Sequence, residues 1–201
     1  MAWDVFSFIG TAAFAISGAI IAMEEEYDIF GVYILGIVTA FGGGAVRNLL
    51  IGVPVSVLWD QQFLFIVATV LIVTIFFFSR HLLTHWTRWG TYFDAVGLAA
   101  FAIQGAMLAI QLDMPLNAVI VAAVLTGAGG GVIRDLLAGR RPLVFQEEIY
   151  AIWAALAGLL VGLGIFSGDW ALYLLLIFTA GLRILSFIFH WKLPLRKIQP
   201  S

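Results

Sequence analysis

The chain has 201 residues, of which 63% are hydrophobic and 11% are charged, and its mean hydropathy is +1.07. A soluble protein of this length cannot bury so much apolar surface in one core, so we expect lipid to cover part of it. The formal net charge of −2 argues against a nucleic-acid partner, and the lack of cysteine excludes disulfides, thiolate metal sites and cysteine catalysis.

Seven apolar stretches follow one another, each close to the roughly 20 residues that a transmembrane helix needs. The connections between them are short and none is rich in serine or proline, which indicates a single transmembrane domain over residues 1–201. We therefore predict an all-α membrane protein with seven transmembrane helices at about Trp3–Met23, Ile29–Leu50, Trp59–Phe78, Thr91–Leu112, Leu116–Leu137, Glu148–Phe166 and Trp170–Phe189.

An internal repeat relates the two halves of the chain. Gly42-Gly43-Gly44 (the first triplet) recurs 87 positions later as Gly129-Gly130-Gly131 (the second triplet), and the same offset relates several flanking residues. The first repeat spans about 3–78, the second about 91–166, and the seventh helix, about 170–189, follows them. Because each repeat holds three spans, an odd number, the second must enter the membrane from the opposite side. This pattern predicts two inverted three-helix repeats, an architecture typical of channels and transporters.

Each repeat carries the motif GGG-x-x-R-[ND]-L-L-x-G near the end of an apolar stretch. Three glycines weaken a helix and an arginine in hydrocarbon is costly, so we expect a non-helical break at each triplet that exposes backbone carbonyls to a wet cavity. Carbonyl oxygens coordinate cations. Close helix packing by small residues is the alternative interpretation. The predicted ion pathway comprises Thr39, Gly42, Gly43, Gly44, Arg47, Asn48, Thr126, Gly129, Gly130, Gly131, Arg134 and Asp135.

Each intramembrane arginine needs a carboxylate, carbonyl or water partner. Asp94, at the start of the fourth span, is the predicted charge partner of Arg134, because Asp135 points about 100° away on a helix and is not expected to be that partner alone. Asp4 or Asp60 is the candidate partner of Arg47. These arginines either tune a pore or form ion pairs that only lock the helix bundle.

The sequence contains no arrangement that indicates catalysis, a metal site or a cofactor. His81 and His85 are spaced as metal ligands on a helix but lack a third ligand. Glu147 and Glu148 are neighbours and do not converge on one substrate. We predict that the protein is not an enzyme.

The distribution of lysine and arginine predicts the orientation in the membrane. With the N-terminus outside and the C-terminus cytoplasmic, the outer loops contain no basic residue. All the loop cations then lie inside: Arg80, Arg88, Arg140, Arg141, Lys192, Arg196 and Lys197.

The two GGG-x-x-R-[ND] motifs, on the second and fifth spans of a seven-span chain, resemble the trimeric intracellular cation channel family, and more closely its bacterial members. The resemblance covers about Phe6 to Phe189. It implies a homotrimer in the plasma (inner) membrane of a prokaryote, with a pore in each subunit. Helices two and five bend at the triplets to line that pore, and potassium and sodium are the expected permeant ions. Regulation through intramembrane lysines, associated with the animal branch, is not carried over, because Lys192 and Lys197 lie in the C-terminal tail.

The sequence favours two functions over a third. In the first, the protein is a monovalent-cation channel in which carbonyls and threonines replace water around the ion. In the second, it is a carrier of a small zwitterion such as glycine, since some bacterial relatives are linked to glycine uptake. An arginine beside a helix N-terminus suits a carboxylate better than a bare cation. A structural or lipid-handling role is the third and weakest reading.

Overall fold

The computed structural model describes residues 2–78, 86–145 and 149–194, apart from the side chains of 86–88. These residues form seven α-helices: α1 (Ala2–Glu24), α2 (Ile29–Ile51), α3 (Gln62–Phe78), α4 (Trp86–Gln111), α5 (Leu116–Leu137), α6 (Ala151–Gly162) and α7 (Asp169–Ile188). Short 3-10 helices occupy Val55–Asp60 and Leu143–Phe145. Several residues discussed above lie outside the described part: Arg80, His81, His85, Glu147, Glu148, Arg196, Lys197 and the side chain of Arg88.

The helices confirm an all-α membrane fold. Five helices in the described part are long and apolar enough to cross a membrane: α1, α2, α4, α5 and α7. The helices α3 and α6 are also apolar but have only 17 and 12 residues, so the count of seven spans stays a prediction. Large apolar side chains point outward from several helices, including Leu49, Ile66 and Trp170. Such a surface suits lipid rather than water.

Local signals in the sequence set the ends of α2 and α5. The Asp28 carboxylate accepts the N–H of Gly31 at 2.8 Å and caps the start of α2. Gly52 ends the same helix with φ of 75°, a left-handed conformation that glycine adopts without strain. Pro115 precedes α5, and Gly139 follows its end with φ of 69°. The two repeated motifs therefore close with equivalent glycines.

The predicted non-helical breaks at the two triplets are wrong. Both α2 and α5 run through their triplets as uninterrupted helix, so the backbone carbonyls before the triplets are not released by a break. Helix propensity is a weak tendency that tertiary packing can override. Here the packing of α2 against α5 holds the glycines in helical conformation.

The helices α2 and α5 cross at the triplets with their backbones in contact. A Cβ atom added at Gly43 would lie 2.6 Å from the carbonyl oxygen of Thr126, and one at Gly130 would lie 2.2 Å from that of Thr39. Real Cβ atoms do not approach backbone that closely. The middle glycine of each triplet is therefore required for the close crossing, which is the packing interpretation considered above.

The helices α1 and α4 pack beside this crossing through two reciprocal contacts. The Phe14 ring covers Gly97, and the Phe101 ring covers Gly10. The two rings meet edge to face, with centroids 5.2 Å apart. Positions 10 and 14 relate to 97 and 101 by the offset of the sequence repeat.

Candidate functional site

Arg134 lies at the centre of a buried polar cluster formed by α1, α4 and α5. Its Nε donates a hydrogen bond to Asp135 Oδ1 at 2.8 Å, and its Nη1 donates to Asp94 Oδ1 at 2.7 Å and to Ser17 Oγ at 2.6 Å. Its Nη2 lies 2.8 Å from Asp135 Oδ1. We call Arg134, Asp94, Asp135 and Ser17 the Arg134 cluster. With both acids ionised, the cluster carries a net charge of −1.

Three further groups hold the carboxylates of this cluster in place. The second oxygen of Asp135 accepts the backbone N–H of Leu143 at 3.0 Å. The Tyr150 hydroxyl donates to Asp94 Oδ1 at 3.2 Å, and the Arg183 guanidinium lies over the Tyr150 ring, 4.9 Å from its centroid. The other Asp94 oxygen, Oδ2, is buried and has no hydrogen-bond partner among the described residues. One carboxylate oxygen is thus left for water or a cation.

The Arg134 cluster lies against a cavity of about 330 Å³, large enough for several water molecules. The lining residues are Ile21, Glu24, Gly90, Thr91, Asp94, Arg134, Asp135, Arg140, Arg141 and Leu143. At its rim, Arg140 donates to Glu24 at 2.8 Å and to Glu25. Partial burial alone would lower the pKa of Arg140, but these hydrogen bonds and the two negative charges raise it above its ordinary value.

The rim ion pairs contribute little to stability because all three side chains remain partly exposed. We expect Arg140→Gln to change the free energy of unfolding by no more than about 1 kcal/mol, since solvent screens such pairs. Thermal unfolding of the purified variant measures this. A loss as large as that predicted below for Arg134 would contradict the assignment of Arg140 to a screened rim.

Arg47 lies in a second polar site, between α2 and α5. Its Nε and Nη2 donate to Asn48 Oδ1 at 3.0 and 2.8 Å, and its Nη1 lies 3.5 Å from Thr126 Oγ1. Arg47 forms no ion pair with any carboxylate of the described residues. The prediction that Asp4 or Asp60 serves as its partner is therefore wrong.

A small pocket of about 20 Å³ adjoins Arg47. We call it the Arg47 pocket. The residues that form it are Thr11, Ala40, Phe41, Gly44, Arg47, Leu58, Gln61, Phe101, Gln104 and Thr126. This volume holds about one water molecule.

The two arginines occupy equivalent positions of the repeat but opposite electrostatic settings. The residues that correspond to Asp94 and Asp135 in the first repeat are Ser7 and Asn48, both uncharged. Ser7 accepts a hydrogen bond from Gln104 instead of pairing with Arg47. The environment of Arg47 therefore carries a net charge of +1, against −1 for the Arg134 cluster.

The predicted pathway residues divide among the two sites and the crossing. Arg134, Asp135 and Asp94 line the large cavity, and Gly44, Arg47 and Thr126 line the Arg47 pocket. The rest lie along the helix crossing or beside the arginines without lining either space: Thr39, Gly42, Gly43, Asn48, Gly129, Gly130 and Gly131. The threonine hydroxyls of 39 and 126 donate to the carbonyls of Leu35 and Ala122, each at 2.6 Å.

Two residues of the Arg134 site lie outside the pathway predicted from the sequence. Ser17 is a polar side chain inside an apolar span, and it accepts a hydrogen bond from Arg134 across helices. Tyr150 carries no signal in the sequence, because it lies just before α6 and 56 residues from Asp94. Only the tertiary fold brings its hydroxyl to that carboxylate.

Comparison with known proteins identifies two copies of one family model in the chain. The model, described as "Glycine transporter", matches residues 4–80 and 91–166. The membrane protein YvgT of Bacillus subtilis, of the UPF0126 group, is 62% identical over 199 residues, which cover 99% of this chain and 98% of that protein. The inner membrane protein YadS of Escherichia coli K12, of the same group, is 35% identical over 193 residues, 92% of each chain.

Solved structures of TRIC cation channels are similar over nearly the whole chain. One, from a study of conductance through these channels, is 37% identical with a TM-score of 0.84 and full coverage of both chains. The TRIC trimeric intracellular cation channel orthologue from Rhodobacter sphaeroides is 31% identical with a TM-score of 0.85, covering 94% of this chain and 98% of that one. A prokaryotic TRIC channel is 33% identical with the same TM-score, and coverage is 95% and 98%.

Proposed function

The chain belongs to the bacterial TRIC and UPF0126 family, whose model is described as "Glycine transporter", and we propose that it is a multi-pass membrane channel for monovalent cations, potassium and sodium. The similar solved proteins are described as cation channels, and one of them matches over the full length of both chains. The orthologue from Rhodobacter sphaeroides is described as trimeric, and we propose the same homotrimeric assembly for this chain, with one pore in each subunit as the family resemblance implies.

The observation that supports this proposal is the placement of two polar sites on either side of one helix crossing. The large cavity reaches Arg134 on α5, and the Arg47 pocket reaches Thr126 on the same helix. These two residues are eight positions apart, or about 12 Å along the helix axis. Between them lies the contact of Gly43 and Gly130. A small separation of α2 from α5 would join the two spaces, and the crossing then acts as the gate.

The Arg134 cluster favours cations at one end of this path, while the full lining of the large cavity, with Glu24, Arg140 and Arg141 added, sums to zero formal charge. The Arg134 cluster is net negative, and Asp94 offers a carboxylate oxygen to a partly dehydrated ion. Arg47 sets a positive barrier beyond the crossing. In the proposed orientation, with the N-terminus outside and two inverted repeats of three spans, the large cavity opens to the cytoplasm and the Arg47 pocket lies toward the outer face.

A carrier of a small zwitterion is the second candidate, and the description of the family model favours it. The Arg134 site also contains both charge signs that glycine needs. However, four of the five N–H donors of Arg134 already serve Asp94, Asp135 and Ser17, so a substrate carboxylate finds one remaining donor and must displace a present partner to form a bidentate contact. This near-saturation of Arg134 favours the channel.

Current recordings in planar bilayers distinguish a cation channel from a zwitterion carrier. Purified protein in a tenfold potassium chloride gradient should show unitary currents that reverse near the potassium potential, about 59 mV from zero for a monovalent ion. Silent bilayers, together with saturable glycine uptake into proteoliposomes of the same preparation, would replace the channel by the carrier. Liposomes without protein are the control for leak.

A further inference from the structure

The Arg47 pocket contains a charge that the described protein does not balance. We propose that it is a binding site for one small monovalent anion of the size of chloride, held by the Arg47 guanidinium. The site itself does not depend on the proposed channel function, although its effect on current does.

The first argument is electrostatic. Arg47 is 5% exposed, and its contacts among the described residues are a neutral amide oxygen of Asn48 and the hydroxyl of Thr126. A buried charge is strongly disfavoured unless an opposite charge or several hydrogen bonds compensate it. Arginine has five N–H donors, and three of them serve these contacts. Two donors therefore remain for a ligand with negative charge.

The second argument is the comparison within the fold itself. At the equivalent position of the second repeat, Arg134 is compensated by two carboxylates, Asp94 and Asp135. The first repeat keeps the arginine and its helix but has Ser7 and Asn48 at the corresponding positions. A bound anion would take the place of the missing carboxylates beside Arg47.

The third argument is the size and lining of the pocket. A space of about 20 Å³ accepts one water-sized species, which favours a halide over the larger phosphate and sulfate ions. A halide ion fits this volume. Besides Arg47, three residues that carry hydrogen-bond donors line the pocket, namely Thr11, Gln61 and Gln104, of which Gln104 uses one N–H for Ser7.

Thermal unfolding tests the site without any need for transport. Purified wild-type protein is compared in potassium chloride and potassium gluconate at equal ionic strength. We expect chloride, and likewise bromide, to raise the Tm by about 3–5 °C for each tenfold increase above the dissociation constant. Equal Tm values in chloride and gluconate at all concentrations would overturn the proposal and leave a neutral water in the pocket.

Three variants assign the effect to Arg47. Arg47→Gln removes the charge, and Asn48→Asp supplies the carboxylate present at the equivalent position 135, so both should lose the chloride dependence of the Tm. Asn48→Asp should in addition unfold at a higher temperature than wild type in gluconate. The matched control is Asp135→Asn, which leaves Asp94 beside Arg134 and should keep the wild-type chloride response. A chloride response that persists in both Arg47→Gln and Asn48→Asp would place the anion elsewhere and contradict the proposal.

The current through the channel should follow the same pattern. An anion at Arg47 lowers the positive barrier, so the potassium current at a fixed potassium concentration should fall when gluconate replaces chloride. This fall should be lost in Asn48→Asp. The absence of currents in planar bilayers would contradict the proposed channel function. The unfolding experiment would still decide whether the anion site exists.

Discussion

Gly130→Ala should destabilise the protein by about 1–3 kcal/mol, because the added methyl meets the backbone carbonyl of Thr39 at 2.2 Å and forces α2 away from α5. For a chain of this length the Tm should fall by roughly 2–12 °C. Thermal unfolding in detergent, followed by circular dichroism, measures the change. The destabilisation should occur even though alanine is the better helix former, since here the clash outweighs propensity.

Gly44→Ala is the matched control, because it lies in a triplet but not at the contact. The atoms closest to a Cβ at Gly44 are 3.7 Å and 3.8 Å away, on Arg47 and Leu58. This variant should be as stable as wild type, or more stable by up to about 1 kcal/mol from the gain in helix propensity. Equal Tm values for Gly130→Ala and Gly44→Ala would mean that the backbone contact is not the feature that holds the crossing.

Arg134→Gln should be the most damaging single change in the polar interior. It leaves the carboxylates of Asp94 and Asp135 buried without their cation, and breaking a buried ion pair in this way costs about 3–5 kcal/mol. Adding Asp94→Asn to this variant should restore part of the lost stability, because one uncompensated charge is then removed. Chemical unfolding of the wild type, both single variants and the double variant provides the measurement.

The double-mutant cycle isolates the interaction between the two side chains. We expect the double variant to be more stable than the sum of the two single losses predicts, by at least about 1 kcal/mol. Additive losses would show that Arg134 and Asp94 act independently and that the ion pair contributes no coupling.

The sequence was sufficient to locate the helices and the polar positions. The limits predicted for α5 are those of the structure, and those of α2 differ by one residue. The sequence named Asp94 as the partner of Arg134, and the two side chains form an ion pair at 2.7 Å. Long apolar runs indicate membrane-spanning helices, and charged residues within them indicate buried polar sites, because a charge in hydrocarbon is costly unless it is paired or hydrated.

The helical conformation of the two glycine triplets could not be predicted from the local sequence. Three glycines in a row predict a break, yet the contacts of Gly43 and Gly130 with backbone across the crossing hold both helices intact. The partner of Arg47 was missed for a related reason. The sequence-based prediction chose the carboxylate of Asp4 or Asp60, whereas the structure supplies the neighbouring Asn48 amide and Thr126 from α5. Only the tertiary arrangement determines which polar group reaches which arginine.

The length of α6 also differed from expectation. An apolar run predicted a span at 148–166, but the helix begins at Ala151 and ends at Gly162. At about 1.5 Å per residue it is about 18 Å long, short of the hydrocarbon thickness. Its buried residues Ala154, Ala157 and Gly158 face the bundle. The position of α6 is therefore set by packing against the other helices and not by a length that matches the membrane.

The chain's lack of cysteine permits a direct test of the pathway. Thr91→Cys places a thiol at the large cavity and Gln61→Cys places one at the Arg47 pocket, whereas Val70→Cys lies on an apolar surface, 57% exposed. Each variant is reconstituted in a bilayer with one orientation, and a cationic methanethiosulfonate reagent is applied to one side at a time.

We predict that the reagent blocks the potassium current of Thr91→Cys from the cytoplasmic side and that of Gln61→Cys from the outer side, and leaves Val70→Cys unaffected. That result would place both polar sites on one cation path, on opposite sides of the α2–α5 crossing. Undiminished currents in both Thr91→Cys and Gln61→Cys, with modification of the thiols verified by mass spectrometry, would contradict it.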